Sequence, residues 1–170
     1  MRATYQREAE RAVQHLSLIG IDRIGVVHVD DSFGADLVEG AQKGFASVSK
    51  KPLFIEKFDR AKPDYSRLAP LVASSGAQAV LFIGSGVAVA DGIAAIRKAG
   101  SRAQIITNSN NASGGFVKSL GANAAGTIVT QAKRSRFIRN STAVPSISAI
   151  AASIWLEMPN TGHSVFTPPS

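Results

Sequence analysis

The sequence predicts an α/β protein built on a doubly wound parallel sheet of five strands, and three observations support this. Short apolar runs alternate with longer segments in which apolar residues recur at helical spacing. The run QAVLFIG at 78–84 is apolar throughout, as is typical of a strand that helices cover on both faces. Successive parallel strands are joined by right-handed crossovers. The order α-β-α-β-α-β-α-β-α-β therefore favours a flavodoxin-like sheet with helices on both faces.

The elements are predicted one by one from apolar periodicity and from the residues that begin or end them. We expect Thr4 to cap the first helix and Gly20 to end it. Gly34 begins the second helix, and Asp64 caps the third. Two more helices are predicted: one ends just before Gly100, and a short one contains Phe116 and Leu120. The predicted strands are 23–29, 52–58, 78–84, 103–108 and 126–131.

Two segments of different character divide the chain. Residues 1–131 predict a single α/β ligand-binding lobe, whereas residues 132–170 lack the strand–helix alternation and end in a Pro-rich run. We predict that this atypical tail is poorly ordered or frameshifted, with one short helix near 146–156. Its basic cluster KRSRFIR (133–139) has two readings, a nucleic-acid or anionic-lipid patch and a solvated linker. The near absence of interleaved aromatic residues favours the linker, so no nucleic-acid partner is expected.

Composition excludes several classes of protein. A hydrophobic content of 45% with 18% charged residues is typical of globular domains, and no apolar run is long enough to span a bilayer. The net charge of +7 is mostly spread over mixed-charge helix faces. The absence of cysteine excludes disulfides and cysteine-based zinc sites. The amino terminus has no apolar signal-peptide core, which predicts a cytoplasmic location for the chain as it stands.

Two motifs suggest enzymatic or signalling chemistry, and neither is complete. Asp30-Asp31 after the first strand is typical of a phosphoacceptor receiver, but the third strand ends in Gly84-Ser85-Gly86 without the further aspartate. The Gly84-Ser85-Gly86 turn suggests dinucleotide binding, yet Val89 breaks the glycine spacing and no acid ends the next strand. A nucleotide-binding enzyme therefore stays a less favoured alternative.

No catalytic, metal or cofactor site is predicted. His15, His28 and His163 are far apart in sequence and show no HxH or HExxH spacing, and no GxSxG elbow is present. Three loops at the carboxyl ends of strands instead carry small polar residues at helix starts: 32–34, 84–86 and 108–111. The pattern indicates a non-catalytic binding module rather than an enzyme.

The order of motifs resembles the second lobe of type I periplasmic binding proteins, in the branched-chain amino-acid branch of ABC-transporter receptors. The resemblance rests on Arg2-Ala3-Thr4-Tyr5, on IGIDRIGVVHVDDSFGADLVEGAQ, on KFDRAKPDYSRLAPLVASSGAQAVLFIGSG, and on GTIVTQ at 126–131. It implies a two-lobed clamshell that closes on a small molecule, with only one lobe present here. We therefore expect a fragment or truncated reading frame.

The resemblance also implies the site residues and partners. Phe33 occupies the family's aromatic position against the ligand, with Ser32 beside it. Ser85 and Gly86 follow the third strand at a contact position, and Ser109 and Asn110 lie near the position of an acid that this loop lacks. That difference leaves amides, aromatic acids and other small polar metabolites open as ligands.

In the intact family the protein is periplasmic and delivers its ligand to an ABC-transporter permease. The exposed face between the lobes is also a predicted self-association surface. The alternative of a different class is a sensor domain of the same fold, in a ligand-responsive signalling protein or transcription regulator.

Overall fold

The computed structural model describes residues 2–131 and the two-residue strand at 156–157. Five α-helices alternate with the strands of one sheet. The helices are α1 (Arg2–Leu18), α2 (Ser32–Ser47), α3 (Leu68–Ser74), α4 (Gly86–Lys98) and α5 (Gly114–Leu120), with 3-10 turns at Ser109–Asn111 and Gly121–Ala124. The strands are β1 (Ile24–Val29), β2 (Ile55–Phe58), β3 (Ala79–Ile83), β4 (Gln104–Thr107), β5 (Thr127–Gln131) and β6 (Leu156–Glu157).

All strand pairs in the sheet are parallel, in the order β2-β1-β3-β4-β5-β6. The predicted doubly wound, flavodoxin-like arrangement is confirmed, since the first five strands follow the order 2-1-3-4-5. The chain moves outward from β1 to β2 and then reverses past β1 to β3. A reversal of this kind separates the loops after β1 and β3 and opens a crevice at the carboxyl edge.

Helices cover both faces of the sheet, as the apolar runs predict. On one face α1 and α2 pack on β1, β3 and β4 through residues such as Leu16, Leu37 and Ile106. On the other face α3, α4 and α5 pack on the same central strands, through residues such as Val72 and Ile93. β3 is buried along its whole length because both layers meet on it.

The crossing of α1 and α2 depends on two glycines. A Cβ at Gly40 would lie 2.2 Å from the carbonyl oxygen of Gln6, and one at Gly44 would lie 2.6 Å from that of Glu10. Both are backbone atoms that cannot rotate away. The glycines therefore let α2 approach α1 closely enough to fix the position of the entire first helix.

Three predicted helix starts are wrong. The second helix begins at Ser32 rather than at Gly34, because Asp31 caps it two residues earlier than predicted. Thr4 does not cap α1, because the helix already includes Arg2 and continues through Thr4. Asp64 does not cap α3, which begins at Leu68. The Asp64 carboxylate instead accepts a hydrogen bond of 2.9 Å from the Ser66 amide, forming a local turn that competes with helix formation. The predicted end of α1 is confirmed, since Gly20 adopts a φ of 86°.

Most of the predicted tail lies outside the described residues. Strand β6 pairs with β5 through Leu156 and Glu157, in a region where no strand was expected. The predicted helix near 146–156 lies outside the described part of the chain except for Leu156, and the basic cluster 133–139 lies outside it entirely. None of the helices in the described ranges is long and apolar enough to cross a membrane.

Candidate ligand-binding site

The three polar loops predicted from sequence lie along one edge of the sheet. They follow β1, β3 and β4, which are adjacent and parallel, so their carboxyl ends meet at that edge. Direct hydrogen bonds connect the second and third loops, and the side chain of Arg60 connects the first loop to the second. We call this surface, formed by residues 30–34, 84–86 and 108–111, the loop edge.

The first loop is held by Asp31, which caps α2. Its carboxylate accepts a hydrogen bond of 2.9 Å from the amide of Gly34. Partial burial of Asp31 opposes ionisation, but the Gly34 amide and the Arg60 guanidinium outweigh it and lower the pKa of the carboxyl below its ordinary value. Gly34 is required here, because a Cβ would lie 1.8 Å from the carbonyl oxygen of Val29. Asp31 therefore serves as the cap of α2.

Ser32 and Phe33 begin α2 at the loop edge. Ser32 is exposed, whereas Phe33 is half-buried. The Phe33 ring meets the ring of Tyr5 edge to face, with centroids 5.5 Å apart and planes at 78°. Tyr5, from the first turns of α1, is therefore an aromatic neighbour of the loop edge that was not predicted as part of the site. Phe33 has a packing role whether or not it also meets a ligand.

The second loop has an unusual helix start. Ser85 is the residue before α4, but its side chain makes no capping hydrogen bond to the helix. Its hydroxyl oxygen accepts instead from Nη1 of Arg60 at 2.9 Å. Gly86 has a φ of 61°, which disfavours any side chain, and a Cβ there would have no atom within 4 Å. The space in front of Gly86 is open.

Arg60 is the main site residue that sequence analysis missed. From the loop after β2, its Nε and Nη2 donate to the Asp31 carboxylate at 2.8 and 2.5 Å, while Nη1 reaches Ser85. It thereby connects the first loop to the second. In the sequence Arg60 belongs to the mixed-charge run EKFDRAKPD, which has the signature of a solvated surface, so no local signal identifies it.

The third loop is connected to the second by two amide side chains. Buried Asn111 donates through Nδ2 to the carbonyl of Gly84 at 3.1 Å and accepts from the Gly86 amide at 3.0 Å. Asn110 donates to the same Gly84 carbonyl at 3.1 Å, and it also accepts from the side chain of Asn108. The predicted contact residue Asn110 is therefore held at Gly84, and Asn111, which was not predicted as a contact, connects the third loop to both Gly84 and Gly86.

Ser109 is engaged by a carboxylate from a distant part of the chain. Glu8, 2% exposed, accepts from the Ser109 amide at 2.5 Å and from its hydroxyl at 2.8 Å. The hydroxyl of Thr130 donates to the same carboxylate. The loop itself lacks an acid, as the sequence indicates, but α1 brings one to Ser109. Only the tertiary structure reveals it, because 101 residues separate the two.

The side chains of the loop edge can bind a small molecule. The loop edge carries hydroxyls, amides, two carboxylates and the ring of Phe33, and it is bordered by the Arg60 guanidinium and the Tyr5 ring. Such groups can hold and orient a small polar molecule. The nearest imidazole, that of His28, contacts the carbonyl of Val29 at 3.0 Å through Nδ1. Among residues 2–131 no group of three or more His, Cys, Asp or Glu side chains is arranged to hold a metal ion.

Solved structures with the same fold are bacterial binding proteins. A substrate-binding periplasmic protein from Ralstonia solanacearum superimposes with a TM-score of 0.66 at 21% identity over 72% of this chain and 35% of that one. An extracellular ligand-binding receptor from Verminephrobacter eiseniae gives 0.59 at 28% identity, covering 72% of this chain and 36% of the receptor. A putative branched-chain amino acid ABC transporter from Rhodospirillum rubrum gives 0.67 at 16% identity, over 72% and 36%.

This chain thus spans about a third of the length of each of these structures. A comparison with curated protein sequences gave no significant match. The family model described as periplasmic binding protein matches residues 1–152, which takes the similarity past the predicted lobe boundary at Gln131. The match covers most of the chain, and the sheet order agrees with it: the chain belongs to the periplasmic binding protein family.

Proposed function

We propose that the loop edge is one wall of a ligand cleft, and that the chain contributes to non-catalytic capture of a small molecule. The predicted contacts are Ser32, Phe33, Ser85, Gly86, Ser109 and Asn110. The observation that carries the proposal is the joining of three separate loops by Arg60 and Asn111. Because these polar groups are already fixed, they can bind a ligand without the entropic cost of ordering the side chains on binding.

The proposed ligand class is branched-chain amino acids or related small polar metabolites. The printed description of the Rhodospirillum rubrum structure names a branched-chain amino acid ABC transporter, and this supports the proposal by fold alone. The loop edge of this chain combines the aromatic ring of Phe33 with side chains that carry hydroxyl and amide groups. That mixture suits a small molecule with one polar end and an apolar body.

The proposed biological role is that of a transport receptor. In this scheme the ligand is enclosed between two lobes by a hinge motion that ligand binding stabilises, and the closed form delivers it to an ABC-transporter permease. The family and the description of the Ralstonia protein support a periplasmic location. Since this chain carries one wall of the cleft, we expect its affinity for any ligand to be weak.

NMR titration of the isotope-labelled chain with a library of amino acids and their amides tests the proposal. We expect amide shifts confined to the loop edge, at millimolar ligand concentrations, and smaller shifts in Asn110→Ala. The exposed surface variant Lys98→Ala, at the opposite end of α4, serves as the control. Shifts confined to another surface, or none with any compound, would rule out the loop edge as a binding wall. Micromolar binding of leucine, measured by calorimetry, would contradict the weak affinity that we expect of a single cleft wall.

A further inference from the structure

The inference concerns the chemistry that the loop edge selects, and it rests on the proposed function. Arg60 is the cation hydrogen-bonded to two of the three loops. Three hydrogen bonds orient its guanidinium, yet half of the side chain is exposed to solvent. A cation that is fixed in place and still accessible is unusual, since exposed arginines generally retain their rotamer freedom.

The hydrogen bonds of Arg60 leave part of its donor capacity unused. A guanidinium has five N–H donors, and three of them serve Asp31 and Ser85, so two remain for another acceptor. The neighbouring carboxylate of Asp30 is paired with Lys57 at 3.0 Å instead. A planar, pre-oriented guanidinium with two donors to spare matches a carboxylate, whose two oxygens both accept.

The surroundings of Arg60 leave room for such a group. The open space at Gly86 adjoins Ser85, to which Arg60 is bonded. The next residue, Val87, is 69% exposed and presents an apolar side chain on the first turn of α4. Three consecutive residues, Ser85, Gly86 and Val87, thus offer a hydroxyl bonded to the cation, an open position and an exposed apolar side chain. A molecule with a carboxylate at one end and a short apolar body fits this sequence of features.

We infer that Arg60 is a specificity-determining contact, which selects ligands bearing a carboxylate over their neutral amides. The side chain acts directly, by donating from its two remaining N–H groups to the ligand oxygens. Asp31 and Ser85 serve as its positioning residues. Of the ligand types that the sequence leaves open, acids are therefore favoured and amides are not.

A matched pair of probes tests this inference on the 170-residue chain. Isobutyrate and isobutyramide have nearly the same shape and differ in charge, and each is titrated at constant ionic strength while Arg60 Nε–H and backbone amides are followed by NMR. We expect isobutyrate to bind about tenfold more tightly, because a hydrogen bond between two charged groups is stronger than one to a neutral amide. The Arg60 Nε–H signal and the amides of Ser85 and Gly86 should shift with it.

Variants separate ligand contact from loop support. In Arg60→Gln the preference for isobutyrate should disappear, so that both probes bind equally. Lys62→Gln removes the same charge two residues away in the same loop and should keep the preference. If Arg60 only held the loops together, Arg60→Gln would weaken both probes by the same factor and leave their ratio unchanged. That result would overturn the inference.

The remaining outcomes separate the inference from the proposed function. Equal binding of both probes to the wild-type loop edge would refute selection by Arg60 and leave the proposed binding wall standing. Shifts with neither probe would count against the binding wall itself, and the inference would fall with it. An isobutyrate preference that persists in Arg60→Gln would assign the selection to another group.

Discussion

Asp31 illustrates how one side chain can serve both the fold and the site. It caps α2 and also receives the guanidinium that connects the first two loops. Its pKa is lowered in the folded state, so that around and below the ordinary value of about 4 the unfolded chain binds more protons. The stabilisation is therefore fully present above that value and is lost as the pH falls through the lowered pKa.

Asp31→Asn should reduce the dependence of stability on acid pH. Asparagine keeps the capping acceptor but does not titrate and does not pair with Arg60. We expect the variant to be less stable than the wild type at pH 7 and to approach it at pH 3, as measured by urea unfolding at both values. Parallel stability curves for the two proteins across this range would show that Asp31 does not contribute through its charge.

Arg97 is the second residue whose role is visible only in three dimensions. At the end of α4 its guanidinium donates to the carbonyls of Ser101 and Ala103 at 3.1 and 2.6 Å. It also reaches the carbonyls of Ala125 and Gly126, just before β5, at 3.4 and 3.3 Å. Burial lowers its pKa, but an arginine remains charged near neutral pH.

Arg97→Met should destabilise the protein by about 1.5–3 kcal/mol, because carbonyl groups lose a charged donor that no other side chain replaces. The exposed neighbour Lys98 provides a matched control. Lys98→Met removes the same charge from the last turn of the same helix and should change stability by no more than about 1 kcal/mol. Urea unfolding of both variants measures the difference, and equal losses would assign the effect to charge alone.

At the level of the elements, the α1–α2 crossing determines where α1 lies on the sheet, and hence where Tyr5 and Glu8 meet the loop edge. The crossing is tight because Gly40 lies against the backbone of Gln6. An alanine there must push the two helices apart. The site therefore depends on a helix contact that is remote from any ligand.

Gly40→Ala should lower the unfolding free energy by about 1–3 kcal/mol, because overpacking outweighs the higher helix propensity of alanine. In Gly115→Ala a Cβ meets no atom within 4 Å, so propensity alone should stabilise α5 by up to about 1 kcal/mol. Thermal unfolding of the two variants should therefore give shifts of opposite sign. A stabilised Gly40→Ala variant would disprove the close contact.

At the scale of the whole molecule, apolar side chains are exposed at both edges of the sheet. Val87, in the first turn of α4 next to the loop edge, is 69% exposed, whereas Leu18 at the far end of α1 is 85% exposed. We proposed that the face between the lobes favours self-association. This predicts that the loop edge, rather than the opposite edge, mediates contacts between copies.

Sedimentation velocity over a range of concentrations tests this proposal. Val87→Asp should shift any dimer towards monomer, because it places a charge in the contact. Leu18→Asp, with the same change at the opposite edge, should leave the association unchanged. A wild-type chain that stays monomeric at high concentration, or a Leu18→Asp variant that alone abolishes the dimer, would contradict the assignment.

The fold could be predicted from the sequence more completely than the candidate site. Apolar runs such as Ala79–Ile83 and the helical stripes between them predict the parallel sheet, because a central strand that is covered on both faces is apolar throughout. The same alternation places loops 30–34, 84–86 and 108–111 at one edge. Helix starts were predicted less well. Thr4 and Asp64 are residue types that often cap helices, but neither caps one here.

The tertiary structure alone decided how those loops are held. Arg60 reaches Asp31 across 29 residues, and Glu8 reaches Ser109 across 101. Long-range polar contacts of this kind leave no periodicity in the sequence, because each depends on a single side chain and on the packing that brings it near. The sequence by itself determined the α/β lobe and the position of its polar edge. Folding decided which charges meet there, since hydrogen bonds need ångström-scale geometry that only the packed helices and strands provide.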